Sequence, residues 1–220
     1  MKIALLGPIA WRTPPLHYGP WELITSLLAE GLAARGVDVT LFATLDSQTK
    51  ATLDGVCPTG YEESPQIDGR VWEAIHVAHA LRRSGEFDLV HNHLDWLPLA
   101  FSQHCAAPML TTIHGFSGSN ILPAYRKADS SYVSISDSDR CPDLEYVATV
   151  HHGIDLAKAS DAVGHTEVTR VLAAVQHARE PVERRVRVAA AQRLVERRDE
   201  VVVLFPVAVV ERGAARQHLR

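Results

Sequence analysis

The chain has 220 residues, of which 46% are hydrophobic and 22% charged, and a formal net charge of -4 at pH 7. This composition is that of a folded globular protein, and the negative balance argues against a nucleic-acid partner. The three cysteines are far apart, which predicts free thiols in a reducing compartment rather than disulfides or a zinc site. The sequence has no signal-peptide core and no apolar run of transmembrane length, so we expect a cytoplasmic protein with at most a peripheral membrane association.

The charge and composition change sharply near residue 156. Residues 1–158 carry 11 Lys and Arg against 18 Asp and Glu, whereas residues 159–220 carry 11 against 8. Ala, Arg and Val make up most of the second stretch. We therefore expect a domain over residues 1–156 and an atypical Arg/Ala/Val-rich tail over residues 157–220, partly helical or the product of a frameshift.

The first elements in chain order form a βαβ unit. The apolar run at residues 2–6 is stopped by Gly7, as a buried strand would be. Apolar residues recur at helical spacing from Pro20, and Gly36 ends this predicted helix. Residues 37–44 form the next predicted strand. Two strands joined through a helix predict a parallel sheet with a right-handed crossover.

The same alternation continues along the chain. A helix over residues 71–83 is expected to bury Val71, Ile75, Ala78 and Leu81 on one side. Four more strands are predicted at residues 87–93, 108–114, 131–136 and 146–150. Residues 94–104 would form a short helix, although Pro98 weakens that prediction.

Six strands with intervening helices predict an α/β fold with a doubly wound, mostly parallel sheet, that is, a Rossmann-like domain. The strand ends at Gly7, His91, His114 and Ser136 should lie along one edge of this sheet. Ligands bind at that edge in folds of this kind. Residues 151–155 are expected to mark the exit of the chain from the sheet.

The HNHLDW run allows three interpretations of one strand end: a metal site, packing histidines or substrate-lining histidines. His91 and His93 point to the same side because side chains alternate along a strand. With Asp95 they could form the metal site of a hydrolase, but no second cluster with ligand spacing follows. The alternatives are histidines that pack in the core or that line a substrate site, and for the substrate-lining interpretation His93 and Asp95 are the candidates.

Five other positions carry candidate chemistry. Gly19 directly precedes the first helix, where backbone N–H groups could approach a phosphate, or it serves only the turn. Glu22 complements the helix dipole or accepts a hydrogen bond from a sugar hydroxyl. His114 ends a strand before a Gly/Ser loop, and it could bond a ligand there. Ser136 and Arg140 could contact a ligand, or cap a following helix and face solvent.

Taken together and in order, these segments resemble the N-terminal domain of family 4 glycosyltransferases of the GT-B fold. The matching segments are KIALLGP, HYGPWE in place of the usual Y-G-G-x-E, GEFDLVHNHLDW, TTIHG, VSISDSDR and VATVHHGID. The resemblance covers about residues 1–156. A GT-B fold consists of two facing Rossmann-like domains, of which the first binds the acceptor and the second holds most of the nucleotide-sugar donor. The resemblance implies that this chain supplies the first of them.

The resemblance also implies a retaining transfer that needs no bound metal ion and no other cofactor. Residue by residue, it places His114 against the donor sugar as the catalytic candidate. Gly19 and Glu22 belong to the loop that faces the donor diphosphate, although Pro20 replaces the second glycine and removes one N–H. Arg140 corresponds to a position that points into the cleft between the domains. The implied partners are a nucleotide sugar and a glycan, lipid or small-molecule acceptor.

One departure from the family pattern limits these expectations. The second-domain motifs G-R-x-x-x-x-K-G and E-x7-E are not found after residue 156. We therefore expect a truncated chain with weak or no transfer, and self-association through the face that the second domain would cover. The alternatives are a metal-dependent hydrolase and a non-catalytic glycan-binding module.

Overall fold

A computed structural model describes residues 1–116 and 118–153 of the chain. Within this part, seven strands form one parallel sheet in the order β3-β2-β1-β4-β5-β6-β7. The strands are Lys2–Leu6 (β1), Asp38–Phe42 (β2), Thr52–Asp54 (β3), Leu89–Asn92 (β4), Met109–Ile113 (β5), Ser131–Ser134 (β6) and Ala148–Thr149 (β7). The predicted α/β, Rossmann-like fold is confirmed.

Three α-helices and two 3-10 helices connect these strands. The α-helices are Pro20–Ala34 (α1), Gly69–Arg82 (α2) and Leu122–Lys127 (α3), and the 3-10 helices are Ser84–Glu86 and Pro98–His104. Pro20 begins α1, where its missing N–H leaves no helical bond unmade. Asp68 caps α2, since its side chain accepts a hydrogen bond from the Val71 N–H at 3.0 Å.

The core lies on both faces of the sheet. Ala4 and Leu6 of β1 belong to one cluster of buried side chains, and Ile3 and Leu5 belong to the other. This alternation follows from the period of two along a strand, and it accounts for the continuous apolar run in the sequence. The domain is therefore doubly wound, with apolar layers above and below the sheet.

The strand order changes direction between β1 and β4. From β1 the chain moves outward to β2 and β3, then crosses back to β4 on the other side of β1. The loops that follow β1 and β4 consequently diverge and leave a crevice at the carboxyl ends of these strands. In open α/β sheets this is the place where ligands bind.

Several local predictions were wrong. β3 is a three-residue edge strand that the sequence analysis did not predict, and α3 was also missed. In α2 the buried side chains include His76 and Val77 and, as predicted, Leu81, whereas Ala78 is exposed and Val71 and Ile75 are 53% and 44% exposed. The reason is that the buried His76 Nε2 lies 3.0 Å from the Gly7 carbonyl oxygen, a polar contact that hydrophobic spacing does not reveal.

Two further expectations concern the ends of elements. The segment after β6 forms turns rather than the helix that Ser136 was expected to cap. Residues 98–104 are helical, but as a 3-10 helix that Pro98 begins. The described residues include no helix that is long and apolar enough to cross a membrane. The predictions for residues 157–220 lie outside the described residues.

Candidate functional site

A cleft of about 360 Å³ occupies the crevice between the loops after β1 and β4. Trp11 and Tyr18 line it from the first loop, and Asp95 and Trp96 line it from the second. Trp21 and Glu22 contribute from the start of α1. The carboxyl end of the parallel sheet therefore carries a concave site with aromatic and acidic walls, as the strand order predicts.

Glu22 is buried and holds the loop that follows β1. Its side chain is 2% exposed, and Oε1 accepts a hydrogen bond from the Trp11 N–H at 3.3 Å. Burial raises the pKa of Glu22, and bonds from the backbone N–H groups of Ala10 and Trp11 oppose this rise. Beyond the two roles predicted for Glu22, as a complement to the helix dipole or as an acceptor for a sugar hydroxyl, its carboxylate fixes the backbone of the cleft wall.

Gly19 fits its position for two reasons. Its φ of +148° lies in a region that side chains with a Cβ rarely adopt. A Cβ at this position would lie 2.8 Å from Cβ of Pro15 and 3.0 Å from Oε2 of Glu22. The turn therefore requires glycine for its own geometry. The proposed contact of Gly19 with a diphosphate stays a prediction.

Hydrogen bonds from Asn92 and Tyr125 fix Asp95 just after the end of β4. Its carbonyl oxygen accepts a hydrogen bond from the Asn92 side-chain amide at 2.9 Å, and its φ is +67°. The Tyr125 hydroxyl donates to the Asp95 carboxylate. Burial raises the pKa of Asp95, and the bond from Tyr125 opposes the rise. Asp95 thus presents a partly buried carboxylate to the cleft in a fixed orientation.

Four histidines from three segments lie in a row beside this cleft, with neighbouring rings tilted against each other. The rings of His91 and His93 lie 4.2 Å apart, and those of His93 and His114 lie 5.1 Å apart. His152 lies three residues after the end of β7, and its ring centroid is 5.1 Å from that of His114, with the planes inclined by 47°. We call these four side chains the histidine column. Alternation along β4 places the first two rings on one face, as predicted.

Hydrogen bonds link three of the four histidines in the column, and the fourth, His91, bonds a threonine. His93 Nδ1 lies 2.9 Å from His114 Nε2, and His114 Nδ1 lies 3.2 Å from His152 Nε2. His91 Nε2 lies 2.8 Å from the Thr112 hydroxyl. Both ring nitrogens of His114 are therefore engaged by other histidines.

The column is uncharged at neutral pH. Burial lowers the pKa of His91 to about 4 and that of His114 to about 3, and it lowers the pKa of His93 as well. A neutral imidazole has one N–H and one lone pair. We assign the N–H of His93 to Nδ1, because the buried Nε2 has no hydrogen-bond partner among the described residues and a lone pair is less costly there than a donor. His114 then donates its Nδ1–H to His152.

Trp21 joins the histidine column to the cleft. Its ring stacks on His114, with centroids 5.5 Å apart and planes inclined by 22°, and it also lines the cleft. The predicted site residues Glu22, Asp95 and His114 are thus brought to the same end of the sheet. His93 is 1% exposed, so it supports His114 from below instead of lining a substrate site.

Ser136 and Arg140 lie at the ends of β6 and β7. Arg140 Nε donates to the Thr149 hydroxyl at 3.0 Å and to the Ser134 hydroxyl at 3.2 Å, and its guanidinium lies 5.2 Å from the centroid of the Tyr146 ring. Ser136 Oγ accepts from the Asp139 N–H at 3.2 Å. Both residues stabilise the turn after β6, and neither lines the cleft described above.

The metal-site reading of the HNHLDW run finds no support in this geometry. His91 bonds Thr112, His93 bonds His114, and the Asp95 carboxylate accepts from Tyr125. Over residues 1–116 and 118–153, no three side chains of His, Cys, Asp or Glu are grouped as they would be around a metal ion. The arrangement is one of neutral, mutually bonded imidazoles.

The described part of the chain is a parallel α/β domain with a cleft at the point where the strand order changes direction. Comparison with known protein families shows which family the chain belongs to. The model of Glycosyltransferase Family 4 matches residues 22–203. The chain belongs to this family. The match runs past residue 156, and the domain boundary placed there stays a prediction. No curated protein sequence matches the chain.

Comparison with solved structures finds partial likenesses to several proteins, three of which follow. HepE of Anabaena, in complex with UDP and glucose, has a TM-score of 0.47 at 15% identity over 74% of this chain and 50% of its own. AviGT4, a glycosyltransferase involved in avilamycin A biosynthesis, has a TM-score of 0.47 at 18% identity over 71% and 43%. MurG of Acinetobacter baumannii has a TM-score of 0.46 at 13% identity over 67% and 45%. This chain spans about half the length of these proteins or less.

The sequence analysis did not identify Trp21 or His152 as site residues. Trp21 was read as one of the apolar positions of α1, and His152 as part of the chain exit. Trp21 lies in the first turn of α1 and His152 follows β7, so both lie at the same end of the sheet as His114. What could not be read from the sequence is the direction in which each ring turns, because packing decides it.

Proposed function

We propose that this domain is the acceptor-binding part of a retaining glycosyltransferase that takes a nucleotide sugar as donor. Membership of glycosyltransferase family 4 supports the reaction class. The aromatic and acidic cleft supports acceptor binding, since sugars pack their C–H faces on aromatic rings and donate their hydroxyls to carboxylates. HepE, one of the similar structures, binds UDP, which makes UDP-sugars the first donors to test.

One observation carries the proposal. Trp21 forms a wall of the cleft and at the same time stacks on His114. An acceptor in the cleft would therefore lie next to the residue that the family resemblance places against the donor sugar. Trp21 thus belongs to the proposed acceptor site and also contacts His114, the candidate for contact with the donor sugar.

In the proposed reaction the bond between the anomeric carbon and the diphosphate oxygen breaks. A bond forms from the same carbon, on the same face, to an acceptor hydroxyl oxygen, and the hydroxyl proton leaves with the diphosphate. His114 is neutral at pH 7 because burial lowers its pKa to about 3. It would donate its Nδ1–H to the donor sugar in place of His152, which orients the sugar without adding a positive charge. No metal ion takes part in the proposed reaction.

The test is donor-dependent product formation by the full chain. UDP-sugars are incubated with simple glycosides in the presence of EDTA, and products are counted by mass spectrometry over hours. We expect slow transfer that persists with EDTA and is lost in a His114→Asn variant, since one positioned donor contributes about 100-fold. A His17→Asn variant, at an exposed loop position, is the matched control.

The outcomes separate the candidate functions. Acceptor binding without product from any donor would favour a non-catalytic glycan-binding module over an enzyme. Loss of product on adding EDTA would contradict the metal-free reaction. A rate equal to that of a two-domain enzyme would contradict the weak transfer expected of this chain. Self-association stays a prediction, and light scattering on the purified chain tests it.

A further inference from the structure

The cleft at the switch point has an unusual balance of charge. Glu22, Glu73 and Asp95 line it, and no Lys or Arg side chain does so within the described part of the chain. Arg12, the basic residue of the adjoining loop, directs its Nε to the Pro14 carbonyl oxygen at 3.1 Å. The three carboxylates therefore lack a cationic partner at the cleft.

Two of these carboxylates influence each other. Burial raises the pKa of Glu73, and the negative charge of Asp95 raises it further, although a bond from the Tyr61 hydroxyl opposes the rise. The Tyr61 hydroxyl donates to Glu73 Oε1 at 3.2 Å. Since like charges in a partly buried site repel each other, the cleft is a region of negative potential that favours a positively charged ligand.

The aromatic walls favour the same kind of ligand. Five aromatic rings line the cleft: Trp11, Tyr18, Trp21, Tyr61 and Trp96. Trp11 and Tyr18 meet edge to face with centroids 5.3 Å apart, and Tyr18 and Trp96 remain 67% and 41% exposed. The faces of indole and phenol rings attract cations, and they also pack against sugar rings. An aromatic site bordered by carboxylates is thus complementary to a polyol that carries an ammonium group.

We propose that the acceptor bound in this cleft is an amine-bearing sugar or cyclitol, with its ammonium group between Glu73 and Asp95 and its ring against the tryptophans. This inference rests on the proposed function, because it names the acceptor class of that site. Acceptors that carry phosphate or carboxylate groups would meet the same three carboxylates and be repelled. The charge of the cleft therefore acts as a filter on the acceptor.

The experiment measures binding in the absence of any donor. Glucosamine, N-acetylglucosamine and glucose 6-phosphate are titrated into the full chain at pH 7, and chemical-shift changes give the dissociation constants. Glucosamine should bind at least about tenfold more tightly than N-acetylglucosamine, which has the same ring but no charge. Glucose 6-phosphate should bind most weakly. Equal binding of the three ligands, tighter binding of the phosphate, or no binding of any would overturn the inference.

A pair of variants locates the effect. Glu73→Gln keeps an oxygen that can accept from Tyr61 but removes the charge, and it should reduce the preference for glucosamine to below about threefold. Glu62→Gln removes an exposed charge close in sequence to Tyr61 that does not line the cleft, and it should leave the preference unchanged. An equal loss of preference in both variants would overturn the proposed site, because it would assign the preference to the overall charge.

Binding and transfer fail in different ways. If glucosamine binds preferentially but receives no sugar from any donor, the proposed function fails and the ligand class stands. If neutral glycosides are glycosylated and show no weaker binding than glucosamine, the transferase stands and the amine preference is overturned.

Discussion

The ring of Trp21 lies against that of His114, with centroids 5.5 Å apart and planes inclined by 22°. Trp21 comes from the first turn of α1, and His114 follows β5, so the contact joins two elements that are far apart in sequence. The indole shields the imidazole on the side of the cleft. Substitutions at Trp21 should therefore change both the cleft and the titration of His114.

A Trp21→Ala variant should weaken acceptor binding by at least about tenfold, because it removes a large aromatic wall. It should also expose His114 to water and raise its pKa from about 3 toward the ordinary value of 6.5. NMR titrations of the ligand and of the His114 ring measure the two effects. Leu23→Ala, at a position of α1 that is 45% exposed, should change neither. An unchanged His114 pKa in Trp21→Ala would contradict the shielding.

As the pH is lowered, the fold should begin to lose stability at a pH above the ordinary pKa of carboxylates. Burial lowers the pKa of His76 and His91 to about 4 from an ordinary 6.5. Below pH 6.5 the unfolded chain binds protons at these residues and the folded chain does not, so the free energy of unfolding falls as pH is lowered from 6.5 to 4. Each such group contributes a slope of up to about 1.4 kcal/mol per pH unit. Urea denaturation at a series of pH values measures the slope.

Replacing one buried histidine should flatten this dependence. His76→Gln retains an amide that can donate to the Gly7 carbonyl oxygen but removes a proton-binding site, so the slope between pH 6.5 and 4 should decrease. His17→Gln removes a histidine at an exposed position and should leave the slope unchanged. The same slope in wild type and His76→Gln would show that His76 does not titrate as its burial implies.

Two glycine substitutions separate backbone strain from steric overlap. Gly19 and Gly115 have φ values of +148° and +143°. A Cβ at Gly19 would overlap Pro15, whereas one at Gly115 would meet no atom of the described residues within 4 Å. Gly115→Ala should cost about 1 kcal/mol of unfolding free energy from strain, and Gly19→Ala should cost at least about 1 kcal/mol more. Equal costs in denaturation experiments would mean that the loop yields to the added methyl group.

Glu22 should contribute to stability through the loop that it holds. Glu22→Ala leaves the partly buried Trp11 N–H without its acceptor and should lower the free energy of unfolding by about 1–3 kcal/mol. Glu62→Ala, at an exposed position, should change it by less than about 0.5 kcal/mol. Thermal denaturation of the two variants tests this. Equal stabilities would show that Glu22 does not stabilise the loop that forms the cleft wall.

The sequence predicted the fold well because apolar strands and a helix that begins at proline leave local signals. Lys2–Leu6 has the predicted bounds, and the α1 helix begins at the predicted Pro20. β3 was missed because its burial is partial and its three residues at the sheet edge have no apolar run. The wrong face of α2 has a different origin, since the buried polar contact of His76 overrides the hydrophobic period.

The edge of the sheet at which the candidate residues gather was predicted, but their contacts were not. Parallel topology alone brings Glu22, Asp95 and His114 to one end of the sheet. The burial of His93 and the bond between His114 and His152 depend on side-chain packing across strands, which no single segment encodes. For the same reason Arg140, expected near a ligand, is turned toward Thr149 and Tyr146.

The alternation along β4 has a consequence for which changes in length the gene can tolerate. His93 faces the histidine column, while the neighbouring Asn92 turns to the other side and fixes Asp95 at the cleft. Losing or gaining one residue in this strand would exchange the two faces, so both sites would be lost in a single event. Substitutions can reshape either site independently, but insertions and deletions within the HNHLDW stretch cannot.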